Sequence, residues 1–225
     1  MGHSAVIFDF FGTLTASVPA AERLAGHAEV AAALGVPADD YAEALHRSWP
    51  DRARGRHGDL PSTMRWLAAA CGVDVDDASC AAACAVRRRT QRDYVRLRPD
   101  AEPVLRTLRE RGIAVGLVSD CTLELPEVWN ELPIAGHVDA PVFSVQVGVK
   151  KPDPAIYLRA CERLGVEPTD CVYVGDGDSN ELVGAATVGM RPRRLLAPDH
   201  ADAHVFDPVT WTGDTITSLT AVLDS

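Results

Sequence analysis

With 225 residues, 47% of them apolar and 24% charged, the chain is long enough to bury a sizeable core and too apolar to be disordered. Its 22 basic and 32 acidic residues leave a net charge of −10, which disfavours nonspecific binding to nucleic acid because that binding rests on phosphate neutralisation. No apolar run is long enough to cross a membrane, and six cysteines without a CxxC pair suggest small buried thiols in a reducing cytoplasm, not a disulfide framework or a metal knot.

The first predicted element is a buried strand, Ala5–Asp9, an apolar run that ends on a single carboxylate. It is followed at once by Phe10-Phe11-Gly12-Thr13, a turn signal, so Asp9 is expected at the exposed end of the strand. Residues from about 16 to 98 then carry Ala-rich, helix-period patterns at 20–34, 39–48, 62–71 and 77–97, with no clear strand. That stretch is too long for one crossover helix and reads as a helical insert, with Pro99 as the point of re-entry. Within it, Arg88, Arg92 and Arg96 fall on one helix face, either as a solvated face or as a lure for an anion. His46, His57 and Asp59 read as ordinary surface residues, with a proton-donor role as the sharper alternative, and Trp49 and Trp66 as packing or pocket-lining residues.

Past Pro99 the pattern alternates. Strands are predicted at 113–119, 142–145, 171–175 and 194–196, and helices at 100–111, 123–130, 154–164 and 180–188, with Gly112 and Gly165 just past helix ends. A short apolar piece at Val205–Phe206 and a final helix from Thr215 complete the list. Alternating strands and helices imply an α/β fold, a parallel sheet covered on both faces. In such a sheet the C-terminal strand ends lie along one edge. That edge would gather Asp9, Ser119, the Lys150-Lys151-Pro152-Asp153 segment and the Gly175-Asp176-Gly177-Asp178-Ser179-Asn180-Glu181 loop. A carboxylate can act as a nucleophile, acids such as Asp9 and Asp176 suit Mg²⁺, and a lysine with a serine hydroxyl suits a transferring phosphoryl group. Ser119 read alone is a helix N-cap, Asp178 a solvent-facing loop residue, and one of the two lysines a solvated one.

These four elements, in this order, resemble the haloacid dehalogenase-like hydrolase superfamily over nearly the whole chain, most tellingly in 8–14, 148–157 and 174–185. The resemblance implies a Rossmann-like parallel-sheet core formed by residues 1–15 plus 99–225 and an inserted helical cap of the first type at 16–98. It implies Asp9 as nucleophile, Ser119 as phosphate-binding hydroxyl, and Lys151 (picked by the following Pro152) as the charge-balancing lysine. The metal would be Mg²⁺, held by Asp9, the backbone carbonyl of Phe11 and Asp176, with Glu181 in direct or indirect contact. The chain departs from the family pattern in two places: Phe11 stands where phosphatase members carry a proton-donating Asp, and Glu181 where Asp is commoner.

Three functions compete on this basis. The favoured one is a Mg²⁺-dependent phosphatase or phosphotransferase acting through an aspartyl-phosphate on a small anionic, phosphorylated metabolite. The second is a metal-independent 2-haloacid dehalogenase-like hydrolase, which resembles this chain in its aromatic at position 11. The third is a catalytically impaired binding protein. The acid at Asp176 weighs against the second, since it favours a metal and repels a carboxylate substrate. A cytoplasmic enzyme without nucleic-acid or membrane partners, as monomer or homodimer, is expected.

Overall fold

The computed structural model describes residues 3–202 and 211–224. Six parallel strands form one sheet in the order β3-β2-β1-β4-β5-β6: β1 Ala5–Phe8, β2 Ala114–Ser119, β3 Ala140–Phe143, β4 Cys171–Gly175, β5 Arg191–Leu195 and β6 Thr215–Ile216. Strand alternation sends Ala5 and Ile7 to one face and Val6 and Phe8 to the other. The Val6 face is covered by α6 (Ala101–Glu110) through Val104, Leu105 and Leu108, and by the C-terminal Leu219 and Val222. The Ile7 face is covered by α9 (Pro154–Leu164) through Ile156, Tyr157 and Ala160, and by α10 (Glu181–Thr187) through Leu182 and Ala185. With both faces buried, β1, β2 and β4 are apolar along most of their length, which is why their sequences are so readable.

Between β1 and β2 lie α1 (Ala20–Leu34), α2 (Ala38–Arg47), α3 (Trp49–Arg52), α4 (Leu60–Ala70) and α5 (Asp77–Tyr94). They bury a cluster of their own, including Leu34, Tyr41, Leu45, Met64, Leu67 and Cys84. Helices α1 and α5 approach closely at Gly26, where a side chain would collide with the Tyr94 hydroxyl. The two connections to the sheet pair with each other: Ala16 N–H donates to Arg96 O (2.8 Å) and Arg98 N–H to Leu14 O (2.9 Å), around a Thr15–Leu97 bridge. The helix predicted to run to Leu97 therefore ends at Tyr94, because Leu97 is taken up by that bridge.

Several boundaries differ from expectation. The strand expected at 142–145 is β3 at Ala140–Phe143, and Ser144–Val147 turns into the short helix α8, closed by Gly148 at φ 77°. Strand β5 begins at Arg191, three residues before the expected start, because its arginines mask a strand signal. The helix of 123–130 is split into α7 (Glu124–Val128) and a 3₁₀ turn to Glu131. Thr215 opens β6 instead of a helix, and only Leu219–Asp224 is helical, as a 3₁₀ segment. The expected apolar piece at Val205–Phe206 lies outside the described residues.

Candidate active site

The chain runs from β1 outward to β2 and β3, then returns to the other side of β1 with β4. That reversal makes the β1/β4 junction the switch point of the sheet, where a crevice opens beyond the strand ends. Phe8 is in register with Val174, and Asp9 N–H donates to Val174 O (2.8 Å), so Asp9 and Asp176 leave the sheet side by side.

After Asp9 the backbone makes a wide helical turn over Phe10–Leu14, broken at Phe11 (φ −75°, ψ 126°) and at Gly12, whose φ of 80° disfavours any side chain. A Cβ at Gly12 would also collide with the Asp176 carboxylate. Three outside groups hold this turn. Arg98 donates to Thr13 O (2.9 Å) and Gly12 O (2.8 Å), and forms a two-point ion pair with Asp199 (2.9 and 3.0 Å). Asp199 also accepts from Ser17 N–H (2.7 Å). His200 Nδ1 accepts from Ala197 N–H (3.2 Å), which assigns the ring proton to Nε2, and Nε2–H donates to Gly12 O (2.8 Å). Burial, with the nearby Arg98 and Arg194, holds the His200 pKa below its ordinary value, against the Gly12 carbonyl and Asp199.

Lys151 is buried and its ammonium sits between two carboxylates, 2.5 Å from Asp9 Oδ1 and 2.6 Å from Glu181 Oε2. The Lys151 backbone N–H is pinned by Asp120 Oδ1 (2.9 Å). Neither lysine is solvated: Lys150 is drawn to Asp120 (3.4 Å) with a side chain only 11% exposed. Lys151 is thus the one of the two that faces Asp9.

Glu181 is fully buried, and both its oxygens are engaged. Oε2 accepts from Lys151 and from Tyr173 Oη–H (2.7 Å), and Oε1 from Gly177 N–H (2.9 Å). The longer side chain fits because residue 175 is glycine: a Cβ there would overlap the Glu181 carboxylate. The loop between is strained, with Ser179 and Asn180 both in the left-handed region at φ 55° and 54°. Tyr173, a buried hydroxyl within an aliphatic strand, was not foreseen; a polar-tipped ring in such a run is its only sequence signal.

Ligand oxygens of Asp9, Asp176 and Glu181 lie within 4.8 Å of one another. Three carboxylates here share one ammonium. Burial, reinforced by Glu181, raises the Asp9 carboxyl to about 7, against the pull of Lys151. Burial and the charges of Glu181 and Asp9 lift Asp176 well above the carboxylate range. The same carboxylates outweigh burial at Lys151 and hold it firmly protonated. An all-oxygen, buried, over-negative cluster of this kind matches the chemistry of a hard divalent cation such as Mg²⁺.

Asp9, Asp176 and Lys151 border a cavity of about 560 Å³ whose walls include Phe11, Asp178 and Trp49, with Glu181 buried behind them. The Phe11 ring packs edge-on against Phe10 (centroids 4.9 Å apart) and carries no proton donor. Ser119 is placed differently from the other predicted residues: it is fully buried at the end of β2, its side chain lies against the Cys121 thiol with no oxygen or nitrogen partner, and it is not among the cavity-lining residues. It caps no helix, since α7 starts after Leu123 without a side-chain cap. Asp178 borders the cavity, and its Oδ1 accepts from Ser179 N–H (2.5 Å). His46 reaches the cavity rim, whereas His57 stacks on the exposed Trp66 (4.3 Å) and Asp59 caps α4 through Ser62 N–H (2.9 Å). The expected arginine face is neither bare nor merely solvated: on α5, Arg88 pairs with Glu127 (2.9 Å) and Arg92 with Glu131 (3.1 Å), beside a buried Arg87–Glu124 pair (2.6 Å), while Arg96 lies past the helix end and pairs with Glu22.

Comparison with known proteins agrees with this geometry. The chain is 32% identical over 200 residues to a glyceraldehyde 3-phosphate phosphatase of Methanopyrus kandleri, covering 88% of this chain and 86% of that one. Among solved structures it superposes on a 2-haloacid dehalogenase from Pseudomonas syringae pv. tomato DC3000 with a TM-score of 0.71 at 22% identity, covering 100% of this chain and 97% of that one. A haloacid dehalogenase-family enzyme of Bacteroides thetaiotaomicron, solved with magnesium and inorganic phosphate, gives 0.68 at 14% identity over 87% and 95% of the two chains. At those identities the two structures speak for the fold alone. The profile of the haloacid dehalogenase-like hydrolases matches residues 3–189, and with the switch-point acids in place the chain belongs to that family, as a hydrolase.

Proposed function

We propose that this hydrolase is a Mg²⁺-dependent phosphatase that acts through an aspartyl-phosphate at Asp9 on a small phosphorylated metabolite. The observation that carries the reading is the charge imbalance at the β1/β4 junction, where Asp9, Asp176 and Glu181 face a single lysine. A dehalogenase needs no cation there and would have to bring a carboxylate substrate past Asp176.

In this reading residues 1–15 and 99–225 form the catalytic core and 16–98 cap it. Asp9 and Asp176, with the Phe11 carbonyl, would hold Mg²⁺, which when bound would supply charge to neutralise phosphoryl oxygens and the excess carboxylates. Lys151 holds Asp9 Oδ1 and leaves Oδ2 as the attacking oxygen. Oδ2 bonds to phosphorus as the ester oxygen departs, and water then cleaves the acyl phosphate to release inorganic phosphate and restore Asp9. Lys151 balances the charge on the transferring group, and Ser119, buried at the end of β2, would have to become accessible from the cavity to bind a phosphoryl oxygen through its hydroxyl. Glu181 acts on Lys151 and on the loop at Gly177. With Phe11 in place of an acid, the leaving oxygen departs without side-chain protonation, which favours acyl and acidic aryl phosphates.

Phosphate release from a series of aryl and acyl phosphates, with Mg²⁺ and with EDTA, tests this. Wild-type protein should turn over the most acidic leaving groups only with Mg²⁺, and Asp9→Asn should lose ~10³-fold or more, as nucleophile removals do. Halide release from a 2-haloacid in EDTA, without phosphate release in Mg²⁺, would establish the dehalogenase instead.

A further inference from the structure

Five arginines border the cavity: Arg23, Arg52, Arg87, Arg88 and Arg92. Four are committed. Arg52 donates to Ser48 Oγ (2.9 Å) and Leu45 O (2.7 Å), and Arg87, Arg88 and Arg92 pair with Glu124, Glu127 and Glu131. Arg23 differs. Among the described residues no carboxylate lies within ion-pair distance of it, and its buried Nε has no hydrogen-bond partner. It projects from the α1 face formed by Ala20, Arg23, Leu24 and His27, all of which border the cavity. A guanidinium held in a crevice without an acceptor is a costly arrangement unless a ligand completes it.

We propose that Arg23 determines substrate specificity by binding a carboxylate on the leaving-group side of the phosphorylated substrate. A guanidinium matches a carboxylate with two parallel hydrogen bonds. The Asp178 carboxylate reaches Arg23 with its charge but not as an ion pair, so the guanidinium keeps its donors for one carboxylate, whereas a second phosphate would stay under-neutralised. The acids on the cavity floor repel a carboxylate, so a bound substrate turns its phosphoryl end to Lys151 and its carboxylate end to α1. For turnover this rests on the phosphatase reading; for binding it does not.

Two probe pairs separate the two. In kinetics, 4-carboxyphenyl phosphate is compared with 4-carbamoylphenyl phosphate, an aryl pair with similarly acidic leaving groups that differs in the carboxylate. In calorimetry with Mg²⁺, phosphonoacetate is compared with ethylphosphonate, neither of which can be hydrolysed at an ester bond. Wild-type protein should prefer the carboxylated member of each pair by roughly 10- to 100-fold, the worth of one charged hydrogen-bonded contact. Arg23→Met should collapse both ratios towards one, and Arg23→Lys should restore part of them; loss of fold alone would not move a ratio. Absence of preference in the wild-type protein overturns the proposal even if no variant folds. Preference in calorimetry without phosphate release retains Arg23 and removes the phosphatase reading. Turnover without preference does the reverse.

Discussion

Phe11 shows how much one residue can withhold from a reaction. Its ring lines the same cavity as Asp9, and its packing on Phe10 gives that wall an apolar surface with no proton donor. Phe11→Asp should therefore raise the rate for poor leaving groups, by up to ~10²–10⁴-fold if the new acid reaches the ester oxygen, with little gain for p-nitrophenyl phosphate. A slope of log kcat/KM against leaving-group pKa that is identical in both proteins would sink that account. The site residues were legible to different degrees for physical reasons. Asp9, Lys151 and Asp176 sit at strand ends, and strand ends can be read from hydropathy. Glu181 was visible as an acid, but its bonds to Tyr173 and Gly177 depend on a glycine at 175 and a tyrosine across the strand. Asp120, which pins Lys151 from the neighbouring strand, carries no local signal at all.

At the scale of elements, the turn after β1 and the α5–α7 contact are the informative ones. His200 clamps the turn only as the neutral ring, because Nδ1 must accept from Ala197. Its folded pKa is lowered, so between that value and the unfolded value near 6.5 the unfolded chain binds more protons, and acidification through this window removes stability. The other charges facing the ring are Arg98, Asp199 and Arg194. Thermal melts of wild type and His200→Gln from pH 8 to pH 5 should show the wild-type advantage shrinking as pH falls; a constant gap would mean that the ring does not titrate as described. Across α5 and α7, three arginine–glutamate rungs run from buried to exposed. Glu124→Gln leaves the buried Arg87 charge without its counter-ion and should cost ~3–5 kcal/mol. Arg92→Ala, at an exposed pair, should cost under about 1 kcal/mol in denaturant titrations. Sequence periodicity found most helices but misplaced β3 and β5. The first was obscured by an apolar helix following directly, the second by arginines in a strand that only partly buries its side chains.

For the whole molecule, the over-negative cluster makes stability a function of metal. Mg²⁺ should raise the thermal midpoint progressively, by about 2.7 kcal/mol of stability at a hundredfold excess over its Kd. A midpoint indifferent to Mg²⁺ and EDTA would leave the three acids without a cation to explain them. The parallel sheet was readable as a class because strands and helices alternate, yet strand order was not, since nothing local announces that the chain returns past β1. That return has a temporal side. Strand β1, at the heart of the sheet, pairs with Ala114–Leu117 and Cys171–Val174, and the helices between have local contacts to make first. Pairings so distant along the chain form slowly. During synthesis, then, Asp9 emerges well before β4, so a nascent chain carries its proposed nucleophile long before the rest of the site is in place.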